Sequence, residues 1–176
     1  MRNFSTKMIV EAGVLIALAQ ILSYVKIYES AYGGSVTAGS MIPILFFAVR
    51  WGWQRGIVVG AVYGALQFIL GAKYSFSPLS IFLDYIAAFG ALGLAGVMKA
   101  TRPGILVGTV IGVAGRFIAH LISGVVIWAS YAPKGMNPWV YSIVYNASYL
   151  VPELIISLFL LGLVAKPLIE KYKLGV

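Results

Sequence analysis

Residues 114–128 read AGRFIAHLISGVVIW, an apolar stretch in which Arg116 and His120 lie one helical turn apart. Gly124 and Trp128 continue the same line at the spacing of a helix face. In water this pattern is that of an ordinary amphipathic helix. Inside a bilayer each ionisable side chain is costly and needs a partner or a function. The solvent in which this stretch lies therefore decides the fold.

The composition is that of a membrane protein. Of the 176 residues, 61% are hydrophobic and 10% are charged, whereas soluble domains carry about 25% charged residues. Apolar runs long enough to cross a bilayer, about 17–25 residues each, fill nearly the whole chain. We expect one membrane domain over residues 1–176. Without cysteine, the chain has no disulfide framework and no cysteine metal site.

Apolar runs and helix breakers predict an all-α protein with six transmembrane helices. The predicted spans are 8–25, 36–50, 56–72, 79–98, 104–131 and 139–166. The second is the shortest, and Pro43 is expected either to kink it or to mark its start. Between the first two spans, KIYESAYGGSVTAGS (26–40) is predicted to be a loop able to cover a site.

The basic residues predict that both termini are cytoplasmic. With that orientation, nine lysines and arginines lie in the inner loops and tails and three in the outer loops, as the positive-inside rule requires. The inner set is Arg2, Lys7, Arg50, Arg55, Lys99, Arg102, Lys166, Lys171 and Lys173, and the outer set is Lys26, Lys73 and Lys134. The net charge of +8 thus reflects topology, and no nucleic-acid partner is expected.

Two segments, GIVVGAVYGALQF (56–68) and GILVGTVIGVAGRF (104–117), share glycine at every fourth position. Such spacing lets helix backbones approach closely in a membrane. We favour close packing over a transporter-type internal repeat, because the surrounding helices do not match.

Polar and aromatic side chains converge in the outer half of the membrane. Asp84 lies about 8 Å below the outer start of the fourth predicted helix, and His120 lies about 12 Å below Trp128 on the fifth. The same layer also contains Tyr85, Tyr141, Asn146 and, in the loop above, Tyr74. Aromatic faces around one carboxylate favour a flat cation, and an asparagine amide suits an amino-substituted heterocycle. The sequence therefore predicts an outward-facing pocket.

Each of these residues also has a structural interpretation. Asp84 alternatively neutralises Arg116, and His120 is alternatively a hydrogen-bonded core residue. Outer aromatics are common in interfacial belts. Arg116 is either a ligand contact or the partner of a carboxylate such as Glu153. The structural interpretations do not explain why all these groups gather at one depth.

No sequence motif favours an enzyme. The chain has no phosphate-binding GxxxxGK[ST], no HExxH and no GxSxG, and it has one histidine. We expect neither enzymatic activity nor a cofactor. A small binder without an ATPase motif needs a partner to move its ligand. The step from Gly13 to Ala17 on the first helix is a small-xxx-small surface where another helix can approach.

The chain resembles the thiamine-specific S components of energy-coupling factor (ECF) transporters over essentially its whole length. The resemblance rests on GSMIPILFFAVRWG (39–52), GAKYSFSPLSIFLDYIAAFGALGLAG (71–96), the His120–Gly124–Trp128 run and YSIVYNAS (141–148). It implies a bacterial cell-membrane subunit that captures thiamine from outside. It also implies, as partners, a membrane-embedded coupling protein and two ATPase subunits.

The resemblance further implies a role for each candidate residue. Asp84 is expected beside the thiazolium, with His120 and Trp128 stacked on the rings and Gly124 leaving room for one. Asn146 is expected at the aminopyrimidine, Tyr85 and Tyr141 at the polar ends of the ligand, Tyr74 as a closing residue, and Arg116 as a buried counter-charge or pocket floor. Gly13 and Ala17 match the family's docking motif.

The chain departs from some of these S components at several positions. Gly34 and Ala38 replace Trp and Glu, Tyr63 replaces Trp, Arg116 replaces Lys, and Asp84 replaces Glu. Two alternatives remain: an S component for another small vitamin or cationic heterocycle, and a stand-alone small-molecule carrier.

Overall fold

The computed structural model describes residues 5–30, 34–71 and 73–172. Within them lie six helices and one small antiparallel hairpin. The helices are α1 (Thr6–Ser23), α2 (Ile42–Trp51), α3 (Trp53–Leu70), α4 (Pro78–Val97), α5 (Arg102–Val126) and α6 (Pro138–Tyr172), and the strands are β1 (Lys26–Glu29) and β2 (Ser35–Thr37). Arg2 and Lys173 of the predicted cytoplasmic set, and Ala72 at the end of the third predicted span, lie outside the described residues.

The prediction of an all-helical protein is confirmed except for the hairpin. By length and composition, α1, α4, α5 and α6 are suited to cross a membrane. With 10 residues, α2 is short, and α3 carries Gln54, Arg55 and Gln67 among its 18 residues. The predicted count of six spans therefore stays a prediction, as does the orientation of the termini.

The second predicted span, 36–50, is wrong at its start. Ser35–Thr37 pairs with Lys26–Glu29 as a strand, with Tyr28 opposite Val36. Gly39 then adopts a φ of 91°, a conformation that side chains other than glycine rarely tolerate, and the helix begins at Ile42. Pro43 thus marks the start of the helix, as one of the two expected outcomes.

The ends of the last two predicted helices also differ from the structure. The fifth predicted span, 104–131, breaks after Val126, and Ala129–Tyr131 forms a separate 3₁₀ turn. Trp128 therefore lies beyond the helix that carries His120. The sixth helix continues to Tyr172, six residues past the predicted end, with Pro152 and Pro167 inside it.

The helix α4 lies between α3 and α5 and packs against the regularly spaced glycines of both helices. A β-carbon at Gly60 or Gly64 of α3 would collide with the backbone of α4. On the other side, a β-carbon at Gly112 of α5 would come within 2.9 Å of the Leu92 carbonyl oxygen. The glycine spacing is thus explained by close helix packing, as predicted, and it allows α4 to approach α3 and α5 closely.

Within α4 the hydrogen-bonding pattern changes along the helix. Residues Ile81–Ala87 form a π-helical segment, followed by one α-helical turn and a 3₁₀ segment from Leu92 to Val97. π-Helical turns are rare and occur frequently at functional sites. Asp84 lies in the middle of this segment.

On the side that the topology prediction makes cytoplasmic, Glu11 joins α1 to α2. Its carboxylate accepts hydrogen bonds from Arg50 Nε at 2.7 Å, Arg50 Nη2 at 2.9 Å and Trp51 Nε1 at 2.8 Å. The Arg50 guanidinium also stacks over the ring of Tyr172, 4.0 Å from its centroid. This cluster ties α1 and the last residue of α6 to the short helix α2, which gives Glu11 a structural role.

Candidate ligand-binding cavity

A cavity of about 140 Å³ opens between α4, α5 and α6, beside the hairpin. Eight of the nine predicted ligand-contacting residues line it. The lining residues are Gly34, Tyr74, Ser75, Ser80, Asp84, Tyr85, His120, Gly124, Trp128, Tyr131, Tyr141, Ser142, Tyr145, Asn146 and Tyr149. The convergence that depth and topology predicted is therefore present in the fold. Whether these residues bind a ligand stays a prediction.

Asp84 is the polar centre of the cavity and its only lining carboxylate among the described residues. Its Oδ2 accepts hydrogen bonds from the Ser123 hydroxyl at 2.8 Å and the Ser80 hydroxyl at 3.0 Å. The indole Nε1 of Trp128 donates to the same oxygen at 3.3 Å. These donors come from α4, from α5 and from the turn after α5, so the carboxylate is held in place before any ligand arrives.

His120 connects Asp84 to Arg116. His120 Nδ1 lies 3.2 Å from Asp84 Oδ1, and Arg116 Nε donates to His120 Nε2 over 3.4 Å. A nitrogen that accepts from a guanidinium carries no proton, so the imidazole proton belongs on Nδ1, facing the carboxylate. The arrangement therefore favours a neutral imidazole with one tautomer. In the alternative interpretation Asp84 neutralises Arg116, and the structure connects the two side chains only indirectly, through His120.

Aromatic rings form the remaining walls. The rings of Trp128 and Tyr131 meet edge to face at 5.4 Å between centroids. On α6 the rings of Tyr141 and Tyr145 stack at 5.9 Å, and Tyr149 follows edge-on at 5.9 Å from Tyr145. Aromatic faces on two sides of a carboxylate provide stacking and cation–π surfaces for a flat cation.

Asn146 is held by hydrogen bonds within α6, whereas Gly124 lets α5 approach α6 at Ser142. The Asn146 amide donates to the Ser142 carbonyl at 2.8 Å and accepts from the Tyr149 hydroxyl at 2.5 Å. A β-carbon at Gly124 would come within 2.9 Å of Ser142 Cβ. The missing side chain of Gly124 is thus needed for helix contact at this point, in addition to any room that it leaves for a ligand.

Arg116 is the one candidate that does not line this cavity. It lines a second, polar cavity of about 310 Å³ that shares Tyr74 and Tyr85 with the first. Its guanidinium lies 4.2 Å from the centroid of the Phe89 ring. No carboxylate oxygen of residues 5–30, 34–71 or 73–172 lies within 4.0 Å of it. Glu153 is therefore not its ion-pair partner, and one oxygen of the Glu153 carboxylate accepts from Thr37 instead.

Sequence reasoning missed several lining residues. Tyr145 and Tyr149 repeat at intervals of four from Tyr141, and this regular spacing was the available signal. Ser80 likewise precedes Asp84 by four residues. Tyr131 and Gly34 reach the cavity through the 3₁₀ turn and the hairpin, neither of which was predicted.

The proposed docking residues lie on an open face of α1. Among the described residues, no atom of a packing neighbour lies within 4 Å of the position that a β-carbon at Gly13 would occupy. Ala17 is exposed on the same side, as are Val14 and Leu18, whose exposed fractions are 62% and 43%. The face is apolar and unoccupied by other described parts of this chain.

The chain is similar to known proteins both in sequence and in fold. The family model for the thiamine transporter protein (Thia_YuaJ) matches residues 9–173. The chain is 38% identical over 170 residues to the thiamine transporter ThiT of Bacillus subtilis (strain 168), covering 88% of each. Its fold is similar to that of ThiT from Listeria monocytogenes, with a TM-score of 0.82, 24% identity and coverage of 97% of this chain and 99% of the other. The S component of a bacterial ECF transporter gives a TM-score of 0.55 at 19% identity, covering 95% of both chains.

Proposed function

This chain belongs to the thiamine transporter protein family (Thia_YuaJ), and from that premise we propose that it captures thiamine from outside the cell for ATP-driven uptake by an ECF transporter. The family is one of transporters, and the chain is a bacterial membrane protein. The observation that carries the proposal is the position of Asp84, a carboxylate held by Ser80, Ser123 and Trp128 in the middle of an aromatic cavity.

Each functional group of thiamine has a suitable counterpart among the residues that line the cavity. Its thiazolium ring carries a fixed positive charge, which the Asp84 carboxylate neutralises without any proton transfer. Its two flat rings stack against Trp128 and the imidazole of His120. The amino group of its aminopyrimidine donates a hydrogen bond to the Asn146 amide oxygen, and its hydroxyethyl group forms hydrogen bonds with the tyrosine hydroxyls. Because the carboxylate is already oriented, little reorganisation opposes binding.

The proposed partners follow from the family and from the shape of α1. A substrate-binding subunit without an ATPase motif depends on a separate module for energy. The open face around Gly13 and Ala17 offers a close-approach surface to a coupling helix. The similarity in fold to an S component supports a membrane-embedded coupling protein and two ATPase subunits as the remaining parts of the transporter.

A ligand panel tests the proposal. Purified chain in detergent is titrated by calorimetry with thiamine, pyridoxine, riboflavin and biotin. We expect saturable one-to-one binding of thiamine and no measurable heat with the others. Binding of another vitamin in preference to thiamine would reassign the substrate, and a folded sample that binds none of them would contradict the proposal.

A further inference from the structure

The hairpin is attached to α6 through a buried carboxylate that the proposed site does not use. Glu153 Oε1 accepts one hydrogen bond from the Thr37 backbone amide at 2.5 Å and another from the Thr37 hydroxyl at 2.6 Å. Glu153 is 2% exposed. Both donors come from the last residue of β2, so the whole strand is fixed to α6 at this point.

This contact is the last, in chain order, of three along one face of α6. Tyr145, Tyr149 and Glu153 repeat at intervals of four and so share that face. The Tyr145 hydroxyl accepts from the Gly34 amide at 3.2 Å, and Val36 is buried with Tyr149. The segment from Gly34 to Thr37 therefore lies along α6, and the same face also provides two walls of the ligand cavity.

The three contacts differ in strength. The Gly34 bond is long and joins neutral groups. The Val36 contact is apolar and small. Thr37 instead donates two short hydrogen bonds to one Glu153 oxygen, so this contact is both shorter and double. Glu153 therefore dominates the attachment of β2.

The position of Glu153 is costly for a purely structural residue. It follows Pro152 within a helix long and apolar enough to span a membrane, where an ionisable side chain marks a functional role more often than packing. Among the described residues its second oxygen, Oε2, has no hydrogen-bond partner. An apolar residue would fill this place in the helix without that cost, but it would not bind the strand.

Resting on the proposed function, we propose that Glu153 is a positioning residue that holds the hairpin closed against the ligand cavity and thereby sets the rate of ligand release. Gly34 lines the ligand cavity and Thr37 lines the second cavity beside it. Detaching Thr37 from Glu153 frees the strand that carries both residues. The bound ligand then gains a path outward, whereas Asp84 and the aromatic walls keep their geometry.

Dissociation kinetics test this role. Thiamine binding to purified Glu153→Ala is followed by stopped-flow tryptophan fluorescence. We expect the dissociation rate to rise about tenfold or more, the effect of losing two hydrogen bonds, with the association rate within about twofold of the parent. Glu153→Gln keeps an acceptor for the Thr37 amide, so its dissociation rate should fall between those of parent and Glu153→Ala. Ile155→Ala, a change at an exposed position on another side of α6, is the matched control and should match the parent.

Thr37→Val gives the test a second variant, since it removes the hydroxyl donor and leaves the buried Glu153 and the backbone bond in place. Its dissociation rate should rise less than that of Glu153→Ala. Dissociation from Glu153→Ala and Thr37→Val at the parent rate would overturn the role of Glu153, even though the parent binds thiamine. Should Glu153→Ala not fold, Thr37→Val alone decides. Failure of the parent itself to bind thiamine is a different result, which overturns the proposed function.

Discussion

At the scale of single residues, Asp84 determines the charge of the cavity. Asp84→Asn preserves the shape of the side chain and removes its negative charge. We expect thiamine binding to weaken by about 3 kcal/mol, or about one hundredfold, the scale for removing one partner of a desolvated charge pair. Calorimetry at constant pH gives the value, and an unchanged helical circular-dichroism spectrum confirms the fold.

Ser80→Ala is the matched control for this change. It removes one donor to the same carboxylate and keeps the charge, so we expect a loss of affinity below about tenfold. Equal affinities of Asp84→Asn and parent would contradict the charge argument. A larger loss in Ser80→Ala than in Asp84→Asn would show that orientation matters more than charge.

The candidate residues could be predicted because the position of a residue along a transmembrane helix gives its depth in the membrane. Helix rise and loop charge alone placed Asp84, His120 and Trp128 in the outer half of the membrane. The connection from Arg116 through His120 to Asp84 was not predicted. It depends on side-chain rotamers and on the rotation of α4 relative to α5. The spacing of residues within one helix does not determine that rotation.

At the scale of elements, the Glu11 cluster joins α1 to α2 and should support stability without affecting the ligand. Arg50 has an exposed side-chain fraction of 8%, so Glu11→Ala leaves a buried cation without its carboxylate. We expect unfolding to become easier by about 1–3 kcal/mol, seen as a lower thermal midpoint in detergent. Thiamine affinity measured well below that midpoint should not change.

The pair of Lys26 with Glu29 provides the comparison. Its side chains are 40% and 47% exposed, and exposed ion pairs contribute about 0–1 kcal/mol. Glu29→Ala should therefore leave the midpoint nearly unchanged. If the two variants lose the same stability, burial is not what distinguishes these ion pairs.

The open face of α1 leads to a prediction about assembly. Gly13→Leu fills space into which no neighbouring part of residues 5–30, 34–71 or 73–172 comes within 4 Å, so folding and thiamine affinity should match the parent. Uptake of labelled thiamine by liposomes that also contain the coupling protein and ATPases should fall strongly, because a larger side chain keeps a partner helix at a distance. Normal uptake would mean that docking uses another surface.

Elements differed in how far the sequence predicted them. Long apolar runs predicted α1, α4, α5 and α6 to within a few residues. The hairpin was missed because strands of four and three residues, KIYE and SVT, are too short for an alternating pattern to be seen. The π-helical segment was missed because the residues of Ile81–Ala87 are also compatible with an ordinary α-helix.

At the scale of the whole molecule, the topology prediction is open to direct measurement. The chain contains no cysteine, so single-cysteine variants report one position each. A membrane-impermeant thiol reagent applied to intact cells should label Lys134→Cys and leave Arg102→Cys unlabelled until the membrane is permeabilised. Both positions are exposed in the fold. The opposite labelling pattern would invert the orientation and place the ligand cavity on the cytoplasmic side.

Uptake by the isolated chain distinguishes the proposed S component from a stand-alone carrier, because an S component has no energy source of its own. Liposomes that contain only this chain should bind thiamine without accumulating it. Accumulation driven by a gradient, in the absence of ATPases, would favour the carrier.

A structure of the thiamine complex would show directly whether Asp84 binds the ligand. We expect thiamine between α4, α5 and α6, with the thiazolium ring beside the Asp84 carboxylate and a ring stacked on Trp128. Thiamine bound instead in the neighbouring cavity around Arg116, away from Asp84, would contradict this expectation.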